Sequence, residues 1–289
     1  MRTLPLAATQ ASVIGYGGMH LSLTDRPPES EAIQVIHASL DAGMTLIDTA
    51  DAYCIDGSET GHNERLIARA IREWSGPAET ILVATKGGIV RDRGGWDPNG
   101  KPEHLKRACE ASLKALGVSQ IPLYQFHAPD PAVPFEESVG ALAELQRAGK
   151  VRWIGLSNVS VDQIRRAQRI VPVASVQNRL NPFFREALTG GVAEYCGANG
   201  IAFLAYSPTG GGRLTKKLPD HPTLAEIGRR LGATPHAVCL AWVLAQGKTV
   251  IVIPSARKVA HARDSATAAG LTLSPADLDQ ITRATFDRT

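Results

Sequence analysis

The chain has 289 residues, 44% hydrophobic and 20% charged, the balance of an ordinary globular protein long enough to bury a large core around a deep site. Its net charge of +3 is spread along the sequence, with no basic block for nucleic acid and no charged stripe for a membrane surface. No apolar run approaches the roughly 20 residues of a membrane-spanning helix, MRTLPLAATQ lacks a signal-like apolar core, and Cys54, Cys109, Cys196 and Cys239 are too scattered to suggest a pairing. The expected setting is therefore the reducing cytoplasm.

Short apolar runs recur along the chain, at 12–17, 45–50, 80–86, 121–127, 151–157, 172–177, 201–207 and 249–255. Most are rich in Val, Ile and Leu and read as strands buried on both faces. Helix patterns fill the gaps. The first starts on Ser30 as N-cap and stops at Gly43, the next runs over 101–117 with Pro102 near its start, and another over 134–150 ends at Gly149. A later one has Thr234 as cap, Pro235 in first position and Gly247 as stop, and SPADLDQI, 274–281, reads as one extra capped helix. Strict strand–helix alternation means parallel strands joined by right-handed crossovers. Eight such units close most naturally into a single (β/α)8 TIM barrel over residues 1–289, with the extra helix at its C-terminus. A doubly wound sheet would carry G-x-G-x-x-G after its first strand, and IGYGGMHLS has neither that spacing nor a following helix.

Barrel chemistry happens at the C-terminal ends of the strands. There the expected strands finish in Asp48, with Tyr53 just beyond, then Lys86, His127, Ser157 and Asn158, Gln177 and Asn178, and Tyr206 and Ser207. Any one of these alone fits a solvated or packed boundary residue. Asp, Tyr, Lys and His converging on one rim do not. A phenol with a pKa near 10 is a poor acid at neutral pH, and a neighbouring ammonium is expected to lower it. A buried ammonium needs a counter-ion, which Asp48 can supply. A histidine beside the phenol can orient a carbonyl oxygen. The group is suited to giving a proton to a carbonyl as hydride reaches its carbon.

In order and spacing, Asp48, Tyr53, Lys86 and His127 resemble the catalytic tetrad of the aldo-keto reductase superfamily. IDTADAY, NERLIARAI, VATKGG, SLKALG, FHAPD, GLSN, VQN, AYSP and VIPSARK extend the resemblance over nearly the whole chain, closest to the compact bacterial members. It implies a barrel that binds NADPH (or NADP+) without a Rossmann domain and reduces an aldehyde or ketone to an alcohol. It implies that Ser157, Asn158 and Gln177 hold the nicotinamide carboxamide and that Tyr206 stacks on the ring. Gly18 and Met19 match the first-strand loop near the cofactor, beside Asp48. Ser207, with Pro208, Gly210, Gly212 and Arg213 of SPTGGGR, matches the segment that passes the pyrophosphate. Ser255, Arg257, Lys258, Asp264 and Ser265 fall in the segment that reads the adenosine 2′-phosphate and adenine. That segment departs from the family pattern, with Ser255 for Gly, Val259 for Pro, Asp264 for Glu and Ser265 for Asn. Arg257 and Lys258 still offer charge-assisted donors to a phosphate, which makes NADH the poorer fit.

The expected function is thus NADPH-dependent reduction of a small-molecule carbonyl with Tyr53 as general acid, without nucleic-acid or membrane partners. Two rivals remain open: physiological oxidation of a sugar or ring alcohol with NAD(P)+, and a cofactor-binding, redox-sensing regulatory subunit. DRGGWDPNG, 92–100, carries Trp96 and is expected to form one wall of the substrate pocket. Cys54, next to Tyr53, is expected only to pack.

Overall fold

In the computed structural model, which describes residues 1–289, an antiparallel hairpin of β1 (Thr3–Leu6) and β2 (Thr9–Ser12) precedes the barrel. The barrel begins with β3 (Tyr16–Gly17), β4 (Leu46–Asp48) and β5 (Leu82–Gly87), and a second hairpin, β6 (Ile89–Val90) and β7 (Asp97–Pro98), follows β5. The remaining strands are β8 (Ile121–Phe126), β9 (Val151–Ser157), β10 (Val173–Arg179), β11 (Ala202–Tyr206) and β12 (Val250–Ile253). Neighbours pair in parallel in the order β3-β4-β5-β8-β9-β10-β11-β12. The ring closes where Ile14 bridges Val252, Gly15 N–H donates to Val252 O at 2.8 Å and Gly17 N–H to Pro254 O at 2.9 Å. A Cβ on Gly17 would lie 2.8 Å from Ile253 O, so only glycine lets the seam close.

The helices are α1 (Glu29–Asp41), α2 (His62–Glu73), α3 (Pro102–Leu116), α4 (Phe135–Arg147), α5 (Val161–Gln168), α6 (Glu186–Thr189), α7 (Val192–Ala198), α8 (Pro222–Leu231), α9 (Pro235–Leu244), α10 (Val259–Thr267) and α11 (Pro275–Arg283). Thr234 caps α9 by accepting from Ala237 N–H, and Ser274 and Asp277 close a capping box on α11, the extra C-terminal helix. No helix is long and apolar enough to cross a membrane.

Three boundaries depart from expectation. The first apolar run, 12–17, is not one strand: Ser12 ends the hairpin, donating its hydroxyl to Ile14 O and accepting from Thr45 N–H, and this turns the chain before β3. Ser30 is not a cap. The extended backbone at Pro28 (φ −52°, ψ 147°) starts α1 at Glu29 with no side-chain cap. Finally, α9 ends at Leu244, three residues before Gly247.

Strand alternation places the site. Leu46, Leu82, Ala84, Leu123, Leu204 and Ile251 fill the barrel interior near the strand starts, joined by Leu6 and Ala11 of the first hairpin, which plugs that end. Two residues further along, the same inward rows carry Asp48, Lys86 and Gln125. The interior therefore changes from apolar to polar along the strand direction, while Ile36, Leu105, Leu142, Ile164, Val238 and other helix residues pack the outside of the sheet.

Candidate active site

The polar layer is organised around one fully buried lysine. Lys86 Nζ donates to Asp48 Oδ2 at 2.6 Å, to Thr49 O at 2.9 Å and to the Tyr53 phenol oxygen at 2.8 Å. An ammonium has three donors, and all three are engaged. Because the Tyr53 oxygen accepts from Lys86, its own hydrogen is left to be given elsewhere. The His127 ring stands edge-on to Tyr53 with centroids 5.8 Å apart, and its buried Nδ1 has no protein partner.

Asp48 is itself held. Its Oδ1 accepts from Gln177 Nε2 at 2.7 Å and from Gln125 Nε2 at 3.2 Å. Gln125 was not foreseen from the sequence, although it follows the inward row Leu123, Gln125, His127 at a period of two. Room for it is made by Gly155: a Cβ there would sit 2.8 Å from Gln125 Cγ and 2.4 Å from Ser175 Oγ. Gln177, expected at a carboxamide, here braces the carboxylate.

Burial dominates the electrostatics. It lowers the Lys86 ammonium pKa from its ordinary value, with the Asp48 charge opposing. The lowered phenol pKa expected from the neighbouring ammonium is not the net result. Burial first, then the charge of Asp48, hold Tyr53 well above the usual tyrosine value. Burial, then the charge of Lys86, push His127 well below the usual histidine value. At neutral pH the site thus presents a protonated phenol and a neutral imidazole. Asp51, the second acid of the motif that ends β4, is buried behind this layer. Burial first and then Glu64 raise its carboxyl well above the normal range.

A cavity of about 500 Å³ opens over these groups, within the range of small-molecule sites. Asp48, Tyr53 and His127 line it with Met19, Trp96, Ser157, Asn158, Gln177, Tyr206, Ser207, Pro208, Gly212 and Ser255. Gly211 of the SPTGGGR segment lines it too, as do Gly17, His20, Leu23, Thr209 and Thr215, which were not singled out beforehand. Ser157 Oγ donates to Gln177 O at 2.8 Å, Asn158 Nδ2 to His127 O at 3.0 Å, and the Tyr206 hydroxyl to Asn158 Oδ1 at 2.9 Å. Asn158 and Ser207 both have left-handed backbone (φ 58° and 47°), a strain that turns the chain sharply at the ends of β9 and β11. Gly211 and Gly212 are left-handed as well (φ 67° and 46°), and around Gly212 there is open space for a large group to approach the backbone.

The other expected contacts are less direct. Gly18 lies behind the lining, its N–H on Asp48 O at 2.8 Å, and Gly210 packs on Phe183 and Leu214. Arg213 turns away to donate to Arg288 O, and the Asp264 carboxylate accepts from Thr234 Oγ1. Arg257 Nη1 donates to Asp25 O at 3.0 Å, across from the loop after β3, and Arg257 and Lys258 are exposed just beyond β12. Ser265 lies within α10.

A barrel whose polar rim joins a buried lysine–carboxylate pair to a phenol above a ligand-sized cavity is the arrangement that the resemblance to the aldo-keto reductases implied. The sequence profile of the Aldo/keto reductase family matches residues 13–285, and the chain belongs to that family. An oxidoreductase of Schizosaccharomyces pombe, named as uncharacterized, is 35% identical over 266 residues, covering 90% of this chain and 82% of the yeast protein. The glycerol dehydrogenase of Gluconobacter oxydans superposes with a TM-score of 0.84 at 26% identity, over 99% of this chain and 98% of that one. An aldo/keto reductase from Klebsiella pneumoniae, in complex with NADP and acetate, gives a TM-score of 0.81 at 25% identity, over 95% of this chain and 91% of that one. The protein is an NAD(P)H-dependent oxidoreductase.

Proposed function

We propose that this enzyme reduces an aldehyde or ketone to an alcohol with NADPH, acting in the cytoplasm as a single-domain barrel, and that Tyr53 is its general acid. The observation that carries the proposal is the saturated ammonium of Lys86. With its three hydrogens on Asp48, Thr49 O and the Tyr53 oxygen, the phenol hydrogen is the one left for a substrate. The groups around the cavity suit a nicotinamide nucleotide: amides at Asn158 and Gln177, a hydroxyl at Ser157, the ring of Tyr206, and backbone at Gly212 open to phosphate. When bound there, the reduced nicotinamide supplies the hydride.

The protein's own residues supply the rest. The carbonyl oxygen takes the Tyr53 hydrogen as its carbon is reduced, so C=O becomes CH–OH and the phenol becomes a phenolate. Lys86 stabilises that phenolate through the hydrogen bond already formed. Neutral His127 orients the carbonyl oxygen without competing for the proton. Asp48 keeps the ammonium in place, with Gln125 and Gln177 keeping Asp48 in place. Because burial holds Tyr53 in its protonated form, the resting site is ready for reduction, whereas alcohol oxidation would need a base there. Arg257 and Lys258 support the choice of NADPH over NADH. NADPH consumption with a panel of aldehydes and ketones, with products identified, tests this reading. Turnover only of alcohols with NAD(P)+, or of nothing, contradicts it.

A further inference from the structure

Arg91, between β6 and the turn that leads to β7, is buried and forms no ion pair. Its guanidinium instead donates to three backbone carbonyls: Ile55 O at 3.0 Å, Gly95 O at 3.0 Å and Cys54 O at 3.3 Å. The same group covers the indole of Trp96, with Cζ 3.9 Å from the ring centroid. Its own carbonyl accepts from Gly57 N–H at 3.0 Å and Gly94 N–H at 3.2 Å. One residue thus ties the loop that leaves Tyr53 to the turn that carries Trp96. Trp96 is 43% exposed at the cavity mouth, and Tyr53 and His127 stand edge-on to it at centroid distances of 6.3 and 6.5 Å. Tyr53 and His127 meet that indole edge-on, whereas Arg91 lies over its face.

Burying a guanidinium with no carboxylate in ion-pair contact costs free energy. A hairpin as short as β6–β7 has other ways to close. The arrangement makes sense if the position of Trp96 matters. We infer that Arg91 is a positioning residue: it clamps Trp96 as the fixed wall beside Tyr53 and His127, and so sets how tightly a carbonyl compound is held there. The Arg91 charge is turned onto backbone carbonyls and sealed behind the indole. The wall is therefore aromatic and uncharged, and takes the apolar or aromatic portion of the substrate. The substrate half of this inference rests on the cavity being the carbonyl site.

The test compares Arg91→Met, Arg91→Lys, Trp96→Ala and the Arg91→Met/Trp96→Ala double variant, with benzaldehyde as probe. Arg91→Met is expected to raise the benzaldehyde KM about tenfold, the scale of a lost stacked cation with its donors. kcat and NADPH affinity should change little. Trp96→Ala should do the same, and the double variant should be no worse than Trp96→Ala alone, because both act through the same wall. Arg91→Lys keeps the charge but not the flat fork, and should resemble Arg91→Met. Acrylamide quenching, with Trp96→Phe to assign the indole's share, should show Trp96 more accessible in both Arg91 variants. Additive KM losses, an equal loss of NADPH affinity, a normal KM in Arg91→Lys, or unchanged quenching each overturn the inference. A wild-type enzyme that reduces no carbonyl would overturn the functional reading, while the quenching would still decide the role of Arg91.

Discussion

Replacing Asp48 by Asn keeps the side chain's shape and removes one charge where Lys86, Gln125 and Gln177 converge. In the intact protein burial already lowers the Lys86 pKa, and Asp48 is the main opposing influence. Asp51 and Glu64, the next acids along, are both held toward their neutral forms by burial and cannot replace it. Removing one partner of a buried pair costs about 3–5 kcal/mol. For a chain of 289 residues, with about 2.1 cal/mol/K of unfolding entropy per residue, that corresponds to a Tm lower by about 5–8 °C at pH 7. The pH dependence has a definite sign. The folded state holds the Lys86 proton less tightly than the unfolded chain, whose lysine titrates near 10.5. The unfolded state therefore binds more protons, and stability rises as pH climbs from the folded pKa toward the unfolded one. In Asp48→Asn the folded pKa is lower still, so the variant recovers first and its deficit shrinks at alkaline pH. Thermal melts followed by circular dichroism from pH 6 to 10 measure this. A variant that melts with the wild type at pH 7, or a deficit that widens toward pH 10, refutes the buried-pair reasoning.

Other outcomes follow from the same geometry. Since burial keeps Tyr53 protonated and His127 neutral, kcat for reduction should stay level through neutral pH. Its alkaline limb should move to lower pH in Asp48→Asn, and a pH–rate profile unchanged by that substitution would break the link between Lys86 and the acid. Gly155→Ala should cost about 1–3 kcal/mol by overpacking, and should slow turnover by dislodging Gln125 from Asp48; an unaltered Tm and kcat would show that Gln125 is not a brace. Arg257→Ala should weaken NADPH binding by about 1.5–3 kcal/mol and leave NADH nearly untouched. Equal losses in fluorescence titrations of the two cofactors would mean that Arg257 serves only its bond to Asp25 O.

Much of this was legible in the sequence because the tetrad falls where apolar runs stop. Asp48 ends β4, Lys86 stands one residue before the end of β5, His127 directly follows β8, and Tyr53 lies in the loop after β4. Gln125 was not legible, since an amide inside an apolar strand is noticed only when inward rows are followed at a period of two. Arg91 left no trace for a different reason: its partners are backbone carbonyls of separate loops, which carry no side-chain signature. The direction of the Tyr53 shift was misjudged from the pair alone, because it depends on how completely the whole rim excludes water. Arg257 and Lys258 stand just beyond the last strand, where the apolar run 249–255 places them. Arg213 and Asp264, however, are engaged by Arg288 O and Thr234, partners remote in sequence that no local motif announces.

The central claim is that the proton delivered to the carbonyl comes from Tyr53. Tyr53→Phe removes that hydroxyl, and with it one of the three acceptors of Lys86, while the Lys86–Asp48 pair and the cavity walls stay in place. Single-turnover reduction of benzaldehyde by the NADPH-loaded variant isolates the chemical step from cofactor exchange. The rate should fall by on the order of 10² to 10⁴, the contribution of a positioned general acid, with NADPH affinity unchanged. A Phe variant that reduces benzaldehyde at a near-normal single-turnover rate would contradict the account.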